Sequence, residues 1–132
     1  MIEDGLPVFL KAQVGDVSSR VYPMHAPQNV TAPYIVYEVQ SSEFVDSAAG
    51  PSGLTLATFI VRIFSVSFLE AASITDTARI ALNGYVGTMG THTVQSVRIT
   101  GRRPVYEPSK TGEQKGMYSV ELLGVIEYDE GT

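Results

Sequence analysis

The chain has 132 residues, 44% of them apolar and 17% charged, which places it among globular single domains with a core of their own and outside the disordered class. Its formal net charge of −5 argues against a protein whose main task is gripping nucleic acid, because phosphate binding needs a basic surface. It contains no Cys, which excludes disulfides, thiolate metal sites and Cys nucleophiles together.

The first ten residues, MIEDGLPVFL, open acidic and hold no long apolar run, unlike a secretory signal. Residues 1–19 read as a short helix, with Pro7 suited to its first turn and Gly15-Asp16 as its stop. Under three turns long, it must lean on something else to be stable. Residues 20–33, RVYPMHAPQNVTAP, carry three prolines and read as an extended connector. Pro33 opens a strand over 34–40, where Ile35, Tyr37 and Val39 alternate with Tyr34, Val36, Glu38 and Gln40. Residues 41–53, SSEFVDSAAGPSG, have loop composition and join two antiparallel strands. Phe44 and Val45 in their middle are out of place for a purely solvated loop.

The centre of the chain is a long strand followed by a helix. From Leu54 to Val66 the one charge is Arg62, among Leu, Ile, Val, Phe and Thr. Leu54, Leu56, Ile60, Phe64 and Val66 alternate with Ala57, Phe59, Val61 and Ile63, so both faces are largely apolar. Ser67-Phe68-Leu69-Glu70 has the capping-box pattern, in which the serine caps the N–H of Glu70 and the glutamate reaches back to the N–H of Ser67. Ala71, Ile74, Ala78, Ala81, Leu82 and Tyr85 then form one helical stripe, and Gly84 ends the helix where a left-handed residue is wanted. Gly84, Gly87 and Gly90 are spaced like a nucleotide loop, but the order is helix before and strand after, the reverse of a phosphate cradle. They read as turn glycines.

Residues 94–100 form a short strand. Residues 101–116, GRRPVYEPSKTGEQKG, read as a second long loop with a local charge of +2, either a solvated hairpin tip or a contact surface. Met117 to Tyr128 is the last strand, followed by an acidic tail. The apolar stretches, broken by Arg62 or threonine, fall short of a membrane span, so the expectation is a soluble cytoplasmic protein.

The expected fold is one α+β domain over residues 1–132: a mostly antiparallel four-stranded sheet, one long helix packed on a face, and a short N-terminal helix over 1–19, with sheet and long helix over 34–128. A thirteen-residue strand spans about 43 Å, whereas a helix of about sixteen residues covers about 24 Å. The strand therefore outruns its helix, and a neighbouring subunit is expected to cover the remaining apolar surface.

No catalytic constellation is legible. His25 and His92 fall in expected loops without acidic neighbours in sequence, no serine sits in a nucleophile elbow, and the closest acidic pairs, Glu3-Asp4 and Asp129-Glu130, lie near the ends. The expectation is a structural or binding protein with no cofactor and no metal rather than an enzyme.

Four segments in order carry a family resemblance: Arg20-Val21-Tyr22-Pro23 with Ala26-Pro27-Gln28; Pro33-Tyr34-Ile35-Val36-Tyr37; the central strand with Ala71, Ala72, Ala78, Ala81-Leu82-Asn83-Gly84-Tyr85 and Gly87; and Tyr106-Glu107-Pro108 before the last strand. Over roughly residues 6–128 the chain resembles the tail-completion, or tail terminator, proteins of long-tailed bacteriophages. Gly5, Pro7 and Gly15 depart from the longer first helix of that family. The resemblance implies a virion protein at the head-proximal end of the tail, assembled in the host cytoplasm. It implies a hexameric ring that caps the tail tube, ends its growth and joins it to the connector of the head, with DNA passing through the lumen unheld.

On that reading, composition and position nominate Phe44, Val45, Leu54 and Leu56 for the subunit interface. They nominate Arg102, Arg103 and Tyr106 for contact with the tube or the connector. The competing readings are a head-completion or neck protein, the same part in a contractile apparatus, and, in another class, a small α+β enzyme or ligand-binding domain.

Overall fold

The computed structural model describes residues 2–17, 20–24, 32–47, 50–107 and 117–129. Its elements are α1 (Ile2–Gln13), a 3-10 turn (Gly15–Val17), β1 (Val21–Pro23), β2 (Tyr34–Ser47), β3 (Gly50–Ser65), α2 (Phe68–Leu82), β4 (Gly87–Met89), β5 (His92–Glu107) and β6 (Met117–Asp129). The strands form one six-stranded sheet in the order β1-β2-β3-β6-β5-β4. β1 runs parallel to β2, and the other neighbours are antiparallel.

This corrects the expected four-stranded antiparallel sheet with one long helix: the sheet is mixed, six-stranded and curled into a half-barrel, and two helices accompany it. The physical reason is that residues with loop composition find strand partners. Val21–Pro23, inside the proline-rich connector, pairs with Ile35–Tyr37, because an edge strand tolerates proline. Gly87–Met89 folds back on His92–Val94 through Gly90, whose φ is 61°. Most of the expected 41–53 loop is ladder, with β2 reaching Ser47 and β3 starting at Gly50. The expected 101–116 loop is strand as far as Glu107, and residues 108–116 lie outside the described residues. Register shifts at Val39/Ser41, Val45/Asp46, Val94/Ser96 and Ile99/Gly101 bend the long strands, since a bulge sharpens local twist.

Both helices pack on one face of the sheet. The core there joins Ile2, Leu6, Phe9 and Leu10 of α1 and Ile74, Ala78 and Leu82 of α2 to Ile35, Tyr37, Ala57, Phe59, Val61, Ile63, Leu122 and Ile126. The N-cap of α2 is as expected on one side only. The Ser67 hydroxyl accepts from the Glu70 N–H at 3.4 Å, but Glu70 does not reach the Ser67 N–H. The buried Ser65 hydroxyl stands between them, donating to the Glu70 carboxylate and accepting from the Ser67 N–H at 3.1 Å. At the other end Gly84 has φ 81°, as its expected left-handed role requires, and its N–H donates to Val97 O at 2.8 Å. The Ile99 N–H donates to Asn83 Oδ1 at 3.0 Å, so the end of α2 occupies part of the β5 edge.

Pro7 lies in the second turn of α1 rather than the first. A proline there leaves the carbonyl four residues earlier, that of Glu3, without its helical donor. The Tyr37 hydroxyl supplies one, donating to Glu3 O at 3.2 Å. Burial, then the nearby Asp4 and Glu3 carboxylates, raise the Tyr37 pKa above its ordinary value, so the phenol keeps the proton it donates. Helix α1 also comes close to the β4–β5 turn: a Cβ on Gly5 would overlap the Met89 carbonyl oxygen, and one on Gly90 would lie 3.0 Å from Gly5 Cα.

Gly5→Ala is therefore expected to destabilise the fold by about 3 kcal/mol through overpacking, although helix propensity alone favours alanine by about 1 kcal/mol. Gly84→Ala, with open space around it, should cost about 1 kcal/mol from the left-handed backbone alone. Urea unfolding of the two variants tests this, and equal losses would contradict the close approach of α1 to the turn.

Candidate interaction surface

The second face of the sheet has no helix over it among the described residues. Along it run Tyr34, Val36 and Glu38 of β2; Leu54, Leu56, Thr58, Ile60, Arg62 and Phe64 of β3; Ser119, Glu121, Leu123, Val125 and Glu127 of β6; and Ser96, Arg98 and Arg103 of β5. Strand alternation puts them there, because their neighbours Ala57, Phe59, Val61, Ile63, Leu122 and Ile126 face the helices.

A row of charges crosses this face. Arg62 and Arg103 lie directly opposite Glu121 from either side. Glu121, only 4% exposed, accepts from Arg62 Nε at 3.0 Å and from Arg103 Nε and Nη2 at 3.1 and 2.6 Å. Arg62 Nη1 also donates to Glu38 at 3.4 Å. One buried carboxylate between two guanidiniums is paired on both oxygens, which is the condition for burying it at all. The row ties β2, β3, β6 and β5 together in register. Beside it, a shallow open depression of about 330 Å³ is lined by Leu56, Ser96, Arg98, Val125 and Glu127. Neither Arg98 nor Glu127 forms an ion pair with another described residue.

The residues nominated from sequence do not fall into two simple patches. Leu54 and Leu56 are half-buried on the open face. Val45 pairs with Leu54 in the ladder, and its side chain lies outside the described residues. Phe44 is opposite Thr55, so it points to the helix side, where it is 71% exposed. Arg102 and Arg103 also point to opposite sides. Arg102 is exposed opposite Leu122, on the helix side, whereas Arg103 binds Glu121 on the open face. Tyr106 is in β5, opposite Tyr118, and its side chain lies outside the described residues.

The charge row was missed from sequence. Its signal was Arg62, the one charge in an apolar strand, with Glu121 in another. His92, expected in a loop, opens β5, is 6% exposed and stacks edge-on against Tyr128 at 5.5 Å. His25 lies outside the described residues. Among the described residues, no group of His, Asp and Glu is placed to hold a metal ion, and no helix is long and apolar enough to cross a membrane.

The surface is thus a long sheet face with two hairpins leading from opposite ends of the sheet, β2–β3 near Asp129 and β5–β6 near Ser65. The family model described as Tail completion protein gp17 matches residues 9–121. The chain belongs to this family. The tail-completion resemblance read from the sequence is correct, and the protein is a structural tail component of the virion. The fold of this tail completion protein is similar to that of a chain in the solved virion of a native gene transfer agent particle. The TM-score is 0.58, with 15% identity over 91% of this chain and 84% of that one. No curated protein sequence matches the chain significantly.

Arg62→Met is expected to cost about 2–4 kcal/mol, because it strips a partner from the buried Glu121. Arg103→Met should cost less, about 1–2 kcal/mol, because its side chain is 70% exposed and water can reach the Glu121 oxygen it leaves. Chemical denaturation separates the two, and an equal loss would show that the row is not anchored at Arg62.

Proposed function

We propose that this tail completion protein forms a ring, six-membered by the family resemblance, that caps the tail tube, ends tube polymerisation and joins the tail to the connector of the head. The observation that carries the reading is the sheet face that no described helix covers, bearing half-buried Leu54, Leu56, Leu123 and Val125. Apolar sheet surface of this extent is the mark of a face that other protein covers. In the proposal Phe44, Val45, Leu54 and Leu56 serve subunit contacts. Arg102, Arg103 and Tyr106 serve the tube or the connector, Arg102 through its exposed guanidinium and Arg103 through the exposed part of its own. The net charge of −5 suits a conduit through which DNA slides without being held. The place of action is the head-proximal end of the tail, after assembly in the host cytoplasm.

The test uses tails from a phage lacking this gene, mixed with purified chain and then with filled heads. The wild-type chain should bind the tails and restore joining. Arg102→Glu, which disturbs neither the core nor the charge row, should unfold like wild type yet bind tails about tenfold more weakly, a change of 1.4 kcal/mol. Wild-type binding to isolated heads but not to tails would transfer the protein to the head side of the joint. Unchanged tail binding by Arg102→Glu would remove this arginine from the contact.

A further inference from the structure

The described residues form a body of two layers whose outer surfaces differ: bare sheet on one side, helices on the other. The helix side also carries apolar residues without cover. Leu69 is 79% exposed and Ile80 70% exposed. They are eleven residues apart, so they lie on one line along α2, about 16 Å from each other. Ser73, Asp76 and Thr77 fill the line between them. Phe44, from the β2–β3 arm, points to this same side.

A two-fold contact would press sheet on sheet or helix on helix, leave the other apolar surface bare and close at a dimer. A head-to-tail contact buries both surfaces and continues from copy to copy. Resting on the ring reading above, we infer that the ring is built by layer stacking: the α2 face of one copy covers the open sheet face of the next. Ile80 then sits over Val125, and α2 runs across Leu56, with Leu69 on its far side.

Charge supports this occupant. The depression around Leu56 and Val125 carries Arg98 and Glu127, neither of them paired with another described residue. The α2 face carries Asp76 and Arg79, held to each other only at 3.9 Å, with both side chains well exposed. An acid and a base on each surface allow exchange across the contact, Asp76 to Arg98 and Arg79 to Glu127. The facing of the nominated residues agrees. Phe44 and the pair Leu54 and Leu56 lie on opposite sides of one chain, as the two halves of a heterologous contact must.

Because the chain has no Cys, an engineered thiol is the only one in each copy, and a covalent dimer of this chain, identified by its size, must join two of them. Ile80→Cys and Val125→Cys are loaded onto tails lacking the protein, each alone and as an equal mixture, and treated with a short bismaleimide. Covalent dimers in the mixture, with none from either variant alone, are the expected result. Dimers from Ile80→Cys alone mean helix on helix, and dimers from Val125→Cys alone mean sheet on sheet; either overturns the inference. Leu69→Cys with Leu56→Cys is the second pair, used if a variant of the first fails to unfold cooperatively. Absence of mixed dimers from a folded pair also overturns it. Copies of wild-type chain per tail, counted by gel densitometry, separate this from the ring itself. One copy per tail sinks the ring, whereas several copies without mixed dimers sink only the layered contact.

Discussion

A long sheet has two faces, and the described part of this chain lays helices over one of them. That constraint governs the rest. The four long strands hold 13 to 16 residues each, while α2 holds 15 and α1 holds 12. At about 3.3 Å per strand residue against 1.5 Å per helix residue, the helices run out well before the strands do. Among the described residues, the strands extend beyond the helices, and one face of the sheet carries no helix. A chain that only had to fold would shorten its strands or make their outer face polar. Here half-buried Leu54, Leu56, Leu123 and Val125 keep the outer face apolar, and the chain belongs to a tail completion family.

The charge row on the same face shows how such a surface is kept specific. Glu121 is buried and costs desolvation, which its two flanking arginines offset only in this register. A one-residue slip of β6 against β3 would turn Glu121 into the core and Leu122 outward, so the row penalises the wrong register more than it stabilises the right one. On the helix side the corresponding device is packing. Gly5 and Gly90 let α1 touch the β4–β5 turn, and the Tyr37 hydroxyl restores the hydrogen bond that Pro7 takes from the helix. The two sides therefore differ in how they are held: one by close contact, the other by a paired row with room left beside it.

Much of this was legible. The apolar run from Leu54, the serine cap at Ser67, the alanine-rich stripe of α2 and the left-handed Gly84 have local causes, and each stands where its residues put it. What was not legible depended on partners distant in sequence. Glycine, serine and proline in 41–53 have loop composition, yet Ser42 pairs with Ala57 and Glu43 with Leu56, because a long β3 offers a template that no local window contains. Val21–Pro23 becomes a strand for the same reason. Position alone placed Phe44 with Leu54 and Arg102 with Arg103. Alternation separates both pairs to opposite faces, and the bulge at Val39/Ser41 decides which face Phe44 takes. Arg103 illustrates the limit further. An arginine in a basic segment reads as a surface contact, and its buried carboxylate partner lies eighteen residues later on another strand.

The most direct measurement is the length distribution of tails, by negative-stain microscopy, from a phage deleted for this gene. Filled heads beside free tails, many longer than wild type, is the result expected of a protein that ends tube growth and joins tail to head. Tails of wild-type length that fail to meet heads would contradict the capping role, and intact virions would contradict any structural role at this joint.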